Sequence, residues 1–324
     1  MKKYDDLSIR MKEYESVTKY KLLRRSYIMI RVDGKSFHSY TKGLKRPFDQ
    51  GLIDDMDNAA KYLCKEIQGA VCAFVQSDEI SILITDFEKI ETNAWFDNSL
   101  QKMCSVSASI ATAKFNQLRF NRYYFKNIST ETDYGGGPSI TDHFTEGTDL
   151  TEVMTDVGSI INYTPPINYL AMFDSRVYQL PTKTEVMNYF TWRQQDTVKN
   201  SISSVAQTMF SPKELHGKNG NQKQEMMFQK DGTNWNDLDP KLKRGRMIIK
   251  ETYEKEPNVI RTRWVSVAPP TFTKERDYLN KLIPDRDNKI NVNPINFIPK
   301  DLNKEEIKSL IESLSKQVQN IKYG

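Results

Sequence analysis

Two short acidic segments follow apolar runs, at the points where predicted strands end. Residues 31–38 contain Asp33 and follow the apolar residues 27–30, and residues 76–79 contain Asp78. Apolar runs on both sides of residues 76–79 make this segment the tip of a β-hairpin. Two aspartates at the ends of neighbouring strands can lie close together. Because unpaired buried carboxylates repel each other, such a pair favours a bound divalent cation.

This carboxylate pair suits phosphate chemistry. Magnesium takes one or two carboxylates, keeps several waters and completes its shell with substrate phosphates. Carboxylates that hold two metal ions are used for phosphoryl and nucleotidyl transfer. Asp33-Gly34 alone would favour a simple turn, since Asp-Gly is a common hairpin dipeptide. The second aspartate reverses that preference, and we predict Asp33 and Asp78 as metal ligands and catalytic residues.

The residues after Asp33 suit a triphosphate. Gly34 lets the backbone approach a metal or phosphate closely, and residues 35–38 offer successive amides, a lysine and a hydroxyl. A core position is the alternative for Phe37. For His38 the alternative is a buried structural histidine, with stacking or phosphate contact favoured by its neighbours. Lys102 is spaced to leave its helix towards the site, or else it is a solvated lysine.

Composition narrows the class of protein. The chain has 324 residues, 38% hydrophobic, enough for one large or two ordinary domains. It has no apolar run long enough for a membrane span. Three cysteines without a CxxC pair predict a reducing compartment and exclude a disulfide scaffold or thiolate zinc site. The first residues lack a signal-peptide apolar region and are too acidic for a typical transit peptide. We expect a cytoplasmic protein, with a mitochondrial location as the alternative.

The basic residues are clustered. The net charge is +5, and basic clusters lie at residues 19–25, 42–46 and 241–246. Separate basic patches with aromatic neighbours fit a polyanion such as folded RNA, whereas each patch alone is more typical of a solvated face.

The predicted elements follow a known order. Strands are predicted at residues 27–33, 172–178, in a hairpin at 70–85, and in a second hairpin pairing 243–250 with 259–265. Helices are predicted at residues 5–25, 53–67, 93–118, 183–210, 211–229 and 301–321. The first part reads β-α-β-β-α-β, which is the ferredoxin-like pattern shared by polymerase palms and nucleotidyl cyclases. We predict an α+β fold: a palm core whose antiparallel sheet has helices on one face, plus a C-terminal region of helices and a β-hairpin.

Six segments together resemble the tRNA-histidine guanylyltransferase superfamily, the 3′–5′ polymerases. They occur in the family's order, from about residue 8 to about residue 265. The segments are residues 31–38, 76–79, 94–96 with Lys102, 172–176, 189–196 and 213–219.

The resemblance implies a palm-like catalytic domain, which we place at residues 1–180. Residues 121–168 fall outside the resemblance, and their glycine run and few aliphatic residues predict an irregular insertion. The resemblance further implies a mainly helical, tRNA-contacting region at 181–324 and a homotetramer built as a dimer of dimers. It also implies two Mg²⁺ ions on Asp33, Asp78 and the Gly34 carbonyl. ATP or GTP would activate the 5′ end, which the 3′-hydroxyl of an incoming nucleoside triphosphate then attacks.

The resemblance assigns further residues to nucleotides and tRNA. The incoming nucleotide's phosphates fall on Gly34, Lys35, Ser36, Phe37 and His38. The activating nucleotide falls near Arg46, Asp49, Ser77, Glu79 and Lys102. The tRNA-binding candidates are Arg193, Lys199, Asn200, Lys243 and Arg244.

One departure separates branches of the superfamily. Histidine-tRNA enzymes carry His-Ile-Asn-Asn after the Trp-Arg-Gln-x-Asp element, whereas residues 198–201 here are Val-Lys-Asn-Ser. This favours the Thg1-like-protein branch, which repairs 5′-truncated tRNA by templated addition. The alternatives are a histidine-tRNA guanylyltransferase that adds guanosine at position −1, a palm-type nucleotidyl cyclase, and a non-catalytic RNA-binding protein. Both aspartates argue against the last of these, since a binding protein does not need them.

Overall fold

Six strands form one antiparallel sheet in the order β4-β1-β3-β2-β5-β6. The computed structural model describes residues 6–131, 170–257 and 259–286. The first four strands in the order 4-1-3-2 complete the ferredoxin-like arrangement, so the predicted α+β palm core is confirmed. The strands are β1 Tyr27–Gly34, β2 Ala70–Gln76, β3 Glu79–Thr85, β4 Phe173–Leu180, β5 Arg246–Glu256 and β6 Val259–Val267.

Nine α-helices lie in the described residues. They are α1 Asp6–Ser16, α2 Phe37–Tyr40, α3 Gln50–Glu66, α4 Leu100–Glu131, α5 Lys183–Met209, α6 Pro212–Leu215, α7 Gly220–Asp231, α8 Pro240–Arg244 and α9 Arg276–Leu282. No helix among these residues is long and apolar enough to cross a membrane.

Two helix predictions need correction. The helix predicted at 5–25 ends at Ser16, and Lys21 instead forms a β-bridge with Ser99. The helix predicted at 93–118 begins only at Leu100, because the three residues 96–98 have positive φ. It continues to Glu131, so the predicted irregular insertion at 121–168 is helical over 121–131. The rest of that insertion and the helix predicted at 301–321 lie outside the described residues.

Strand alternation builds the main core. Ile30 and Val32 of β1 and Ile80 and Ile82 of β3 point to one face, where α3 and α4 cover them. Met56, at helical spacing on α3, is fully buried against them. Burying each such side chain stabilises the fold by roughly 1.5–3 kcal/mol.

The palm helices α3 and α4 lie on one face of the sheet, as predicted, and helix α5 of the C-terminal region packs against the opposite face. Its contacts there include two buried polar ones: the Tyr189 hydroxyl lies 2.7 Å from that of Ser81, and Thr197 hydrogen-bonds Gln76. These side chains are buried, so their hydrogen bonds avoid the cost of unsatisfied polar groups.

The C-terminal elements pack onto the palm. Strand β5 pairs with β2 through residues 246–249, so the second hairpin extends the catalytic sheet. A second apolar cluster around Ile202, Leu215 and Met227 takes in Phe48, which precedes α3. All described elements belong to one compact unit that ends at Pro284. The predicted boundary between residues 180 and 181 stays a prediction.

Candidate functional site

Asp33 and Asp78 meet at one end of the sheet, as predicted. Asp33 lies opposite Glu79 in the β1–β3 register, and the Gly34 amide donates to the Asp78 carbonyl at 3.2 Å. Burial raises the pKa of Asp78; a hydrogen bond from Ser77 opposes this, and the negative charge of Asp33 adds to the increase. The two carboxylates therefore interact, and their environment disfavours the doubly charged state without a cation.

The pair fits a magnesium ion. Among the ion pairs of the described residues, none includes Asp33 or Asp78. No cluster of three acidic, imidazole or thiol groups in those residues is arranged to hold a metal. A cation here would therefore depend on two carboxylates, a backbone carbonyl, water and substrate phosphate, which is the donor set that magnesium takes.

Only part of the predicted phosphate-binding turn at residues 34–38 has backbone amides that are free to bind a phosphate. The Gly34 and Lys35 amides are already used, since Lys35 donates to the Met172 carbonyl at 2.8 Å. Ser36 has a left-handed backbone, with φ 55°. Within the described residues, the amides of residues 36–38 donate to no protein acceptor, so these three remain able to bind a phosphate. The side chains of Lys35 and His38 are exposed beside them.

Phe37 is a core residue, so its ring does not contact a nucleotide. It is 5% exposed, and its ring packs on Phe115 and Phe173. A Cβ atom on Gly34 would lie 2.2 Å from the Phe37 ring. The glycine is therefore required by the aromatic ring beneath it, in addition to any role near the metal.

Asp49 has a structural role. Its carboxylate caps α3 by accepting from the Leu52 amide at 2.8 Å, and it also accepts from the Lys45 amide at 3.3 Å. Arg46 is exposed in the preceding loop. The C-terminal end of α3 is followed closely by the start of β2, so the two elements run antiparallel and the N-terminal end of α3 lies near the β2–β3 hairpin. Arg46, just before that end, therefore lies at the end of the sheet that holds Asp33.

Glu79, predicted near the activating nucleotide, and Arg193, predicted on tRNA, are paired with each other. Arg193 forms a fork on Glu79, with both nitrogen–oxygen distances at 2.8 Å, and also bonds Asp196 at 3.1 Å. Burial raises the pKa of Glu79, and the charges of Arg193 and Arg31 oppose this. The alternation of β3 places Glu79 on the face of the sheet that also carries Asp33, and α5 brings Arg193 against it there. Arg193 is buried, so its guanidinium is not exposed to tRNA. Ser77, by contrast, is exposed at the hairpin tip.

Lys102 lies at the far end of the sheet, which corrects its predicted place. Helix α4 runs antiparallel to β4, since Ser107 bonds Ser175 and Thr112 bonds the Phe173 amide. Lys102 is ten residues before Thr112, about 15 Å along the helix axis. Its ammonium instead lies 5.9 Å from the ring centre of Phe96.

The remaining tRNA candidates differ in exposure. Lys199 and Asn200 are exposed on α5, beyond the turn that holds Arg193. Lys243 is half-buried, with its ammonium 5.7 Å from the ring centre of Trp235. Arg244 is also half-buried and bonds Thr271 at 3.3 Å.

The sequence-based prediction missed three charged residues near Asp33. Asp174 lies directly opposite Asp33 in the β1–β4 register, and Arg176 lies opposite Arg31. Strand alternation could have shown that Asp174 and Arg176 share a face, because Phe173 and Val177, which flank them on either side, are buried. Their pairing with β1 depends on register, which the sequence does not reveal.

Comparisons with known proteins show which family this chain belongs to. The family model described as Thg1, tRNAHis guanylyltransferase, matches residues 8–181. A bacterial tRNA(His) guanylyltransferase (Thg1)-like protein, solved in complex with ATP, is 39% identical. That match covers 86% of this chain and 99% of the other, with a TM-score of 0.67.

More distant relatives share the fold and part of the sequence. A probable tRNA(His) guanylyltransferase of Dictyostelium discoideum is 26% identical, over 71% of this chain and 77% of its own length. The enzyme structure from Saccharomyces cerevisiae is 22% identical, covers 71% of this chain and 88% of the other, and has a TM-score of 0.50, which shows the fold alone. The chain therefore belongs to the Thg1 family of tRNAHis guanylyltransferases and is a nucleotidyltransferase that acts on tRNA.

Proposed function

We propose that this chain is a template-dependent 3′–5′ nucleotidyltransferase that adds nucleotides to the 5′ end of truncated tRNA. The observation that carries the proposal is the difference in identity between two groups of relatives. The bacterial Thg1-like protein is 39% identical over 86% of the chain, whereas the enzyme named tRNA(His) guanylyltransferase from Saccharomyces cerevisiae is 23% identical over 74%. The Thg1-like branch is the one that the sequence motifs resemble, and templated repair is the activity that this resemblance implies.

Val198 supports the same branch. It stands where the guanylyltransferase pattern has histidine, and it packs half-buried against the second apolar cluster. An imidazole donates and accepts hydrogen bonds and stacks on unpaired bases, whereas valine offers neither polar function. Its exposed neighbour Lys199 would contact phosphate without regard to sequence.

The proposed reaction has two balanced steps. A 5′-phosphate oxygen of the RNA attacks the α-phosphorus of ATP or GTP, which forms a phosphoanhydride and releases pyrophosphate. The 3′-hydroxyl of the incoming nucleoside triphosphate then attacks the 5′-phosphorus, loses its proton and displaces the nucleoside monophosphate. The bacterial relative's complexes with ATP and GTP support both nucleotides as ligands.

Different residues of the site would bind the metal ions, the incoming nucleotide and the activating nucleotide. Asp33, Asp78 and the Gly34 carbonyl would hold two Mg²⁺ ions, which supply Lewis-acid stabilisation of the phosphate charge. The amides of residues 36–38 would hold the phosphates of the incoming nucleotide, with Lys35 and His38 beside them. Arg46 and Ser77 are the exposed candidates for the activating nucleotide at this end of the sheet.

The second candidate function is addition of guanosine to histidine tRNA. The family description and the names of the curated relatives favour it. Membership of a nucleotidyltransferase family leaves the cyclase and the non-catalytic RNA-binding protein without support.

A panel of 5′-truncated tRNAs separates the two functions. The panel varies the anticodon and the base opposite the added position, and labelled nucleotides report addition in the presence of Mg²⁺. The repair enzyme extends tRNAs with different anticodons at similar rates and adds the nucleotide that pairs with the opposing base. A strong preference for the histidine anticodon, or guanosine addition whatever the opposing base, would assign the chain to histidine-tRNA guanylylation.

Assembly and location are part of the proposal. The resemblance supports a homotetramer, built as a dimer of dimers, and we place the protein in the cytoplasm. Light scattering on the eluting peak of a sizing column measures the assembly, and imaging of the tagged full-length protein measures the location.

A further inference from the structure

Two arginines face each other beside Asp33. Arg31 of β1 and Arg176 of β4 are direct partners in the antiparallel register. Their neighbours Ile30 and Val177 belong to the core under α3 and α4, so both arginines lie on the opposite face, which also carries Asp33. Like charges directly opposite each other in a sheet are destabilising unless something offsets them.

Among the described residues, neither guanidinium has an ion pair closer than 3.8 Å. In the described part of the chain Arg31 forms no ion pair within 4.0 Å, and its Nε atom is buried without a hydrogen-bond partner. Its acidic neighbour Glu79 has both oxygens held by Arg193. Arg176 has one ion pair, a long contact of 3.8 Å with exposed Asp174. The pair of guanidinium groups therefore suits an external anion.

The position of the pair indicates which anion. Arg31 is two residues from Asp33 along the strand, about 7 Å. The amides of residues 36–38 lie on the other side of Asp33, beyond the end of β1. Two anion sites thus flank the metal carboxylates. Addition at a 5′ end needs two phosphate groups there: those of the incoming nucleotide and the terminal phosphate of the RNA.

We propose that Arg31 and Arg176 bind the 5′-terminal phosphate of the RNA substrate and place it beside Asp33. This inference rests on the proposed function, because it takes the second anion to be the RNA end. Arginine suits the task, since its planar fork pairs with two phosphate oxygens at once.

The test compares one truncated tRNA with a 5′-monophosphate and with a 5′-hydroxyl. Fluorescence anisotropy of the 3′-labelled RNA gives both dissociation constants for the full chain without nucleotide. We expect the wild-type protein to prefer the phosphorylated end about tenfold, as for one charge-assisted contact. The Arg176→Gln variant should bind the two RNAs with about equal affinity. Its affinity for the 5′-hydroxyl RNA should stay within about twofold of the wild-type value.

A matched control is available in Arg263. Its side chain is 58% exposed, as is that of Arg176, and each pairs with a nearby carboxylate. Arg263→Gln keeps the wild-type preference. Arg31→Lys keeps the positive charge of this half-buried residue but removes the planar guanidinium that can pair with two phosphate oxygens. It should lower the preference for the 5′-phosphate without unfolding the protein.

Each outcome is decisive. A wild-type protein without a 5′-phosphate preference, or an Arg176→Gln variant that keeps one, overturns the inference. Failure of the proposed function would be a separate result. The wild-type protein would then add no templated nucleotide to truncated tRNA, although it would still prefer the 5′-phosphate and Arg176→Gln would still remove that preference. Loss of that preference in Arg263→Gln as well would show a general charge effect and would also overturn the inference.

Discussion

Replacing Arg193 with methionine should strongly destabilise the protein. The ion pair between Arg193 and Glu79 is almost completely buried, with side-chain exposures of 8% and 10%. The substitution keeps the approximate length of the side chain but leaves the Glu79 carboxylate with a single hydrogen bond, from Ser81 at 3.1 Å. Removing one partner of a buried pair costs about 3–5 kcal/mol, because the other charge stays buried and uncompensated.

The loss should depend on pH. Burial already raises the pKa of Glu79, and Arg193 is the largest influence that lowers it. Without Arg193 the native-state pKa rises further above the value in the unfolded chain. Between those two values the native state binds a proton that the unfolded state does not, so stability increases as the pH falls. The penalty is therefore complete above the raised pKa and shrinks in weak acid.

Urea unfolding followed by circular dichroism measures both effects, at about pH 7.5 and about pH 5.5. Arg263→Met is the matched control, since Arg263 pairs with Glu251 at 2.7 Å but on the surface, where such pairs contribute about 0–1 kcal/mol. Adding Glu79→Gln to Arg193→Met should recover part of the loss, because no charge is left buried. A loss below about 1 kcal/mol, or the same loss at both pH values, would refute the reasoning.

Three further predictions concern the site. Asp78→Asn should abolish nucleotide addition in a Mg²⁺-dependent assay while leaving tRNA affinity nearly unchanged. The control Asp277→Asn, at an exposed position, should change neither. Substantial turnover by the Asp78 variant would remove the metal assignment. Gly34→Ala should displace the aromatic ring beneath it and weaken nucleotide binding in isothermal calorimetry, while Gly220→Ala, whose Cβ would meet only an ordinary contact at 3.6 Å, should bind normally. Binding of tRNA should weaken steeply with salt, and Lys199→Ala should reduce the slope of log K against log salt by about one; an unchanged slope would show that this lysine contacts no phosphate.

The sequence predicted the features that depend on short-range rules. Asp33 and Asp78 each follow an apolar run, and a hairpin and its neighbouring strand bring strand ends together whatever the rest of the chain does. The ferredoxin-like order followed from the same runs. The pairing of Glu79 with Arg193 was not predicted, because Arg193 lies 114 positions away. A buried ion pair of that separation has no local sequence pattern.

The predicted position of Lys102 failed for a similar reason. The spacing around Lys102 shows which side of α4 it occupies, but not which end of the helix lies near the metal. That end is set by the contacts of α4 with β4, such as Ser107 with Ser175. The register between β1 and β4 is equally hidden from the sequence, which is why Arg31 and Arg176 received no role.

The geometry of the reactive face depends on the apolar core behind it. Successive residues of β1 point to opposite sides, so Asp33 faces the site only because Val32 faces α3 and α4. A slip of one residue in the β1 pairing would place the carboxylate under the helices and expose the valine. The burial of Ile30 and Val32 therefore fixes the register that sets Asp33 opposite Asp174 and beside the hairpin of Asp78. Core substitutions that loosen this register should reduce catalysis even though they contact no substrate.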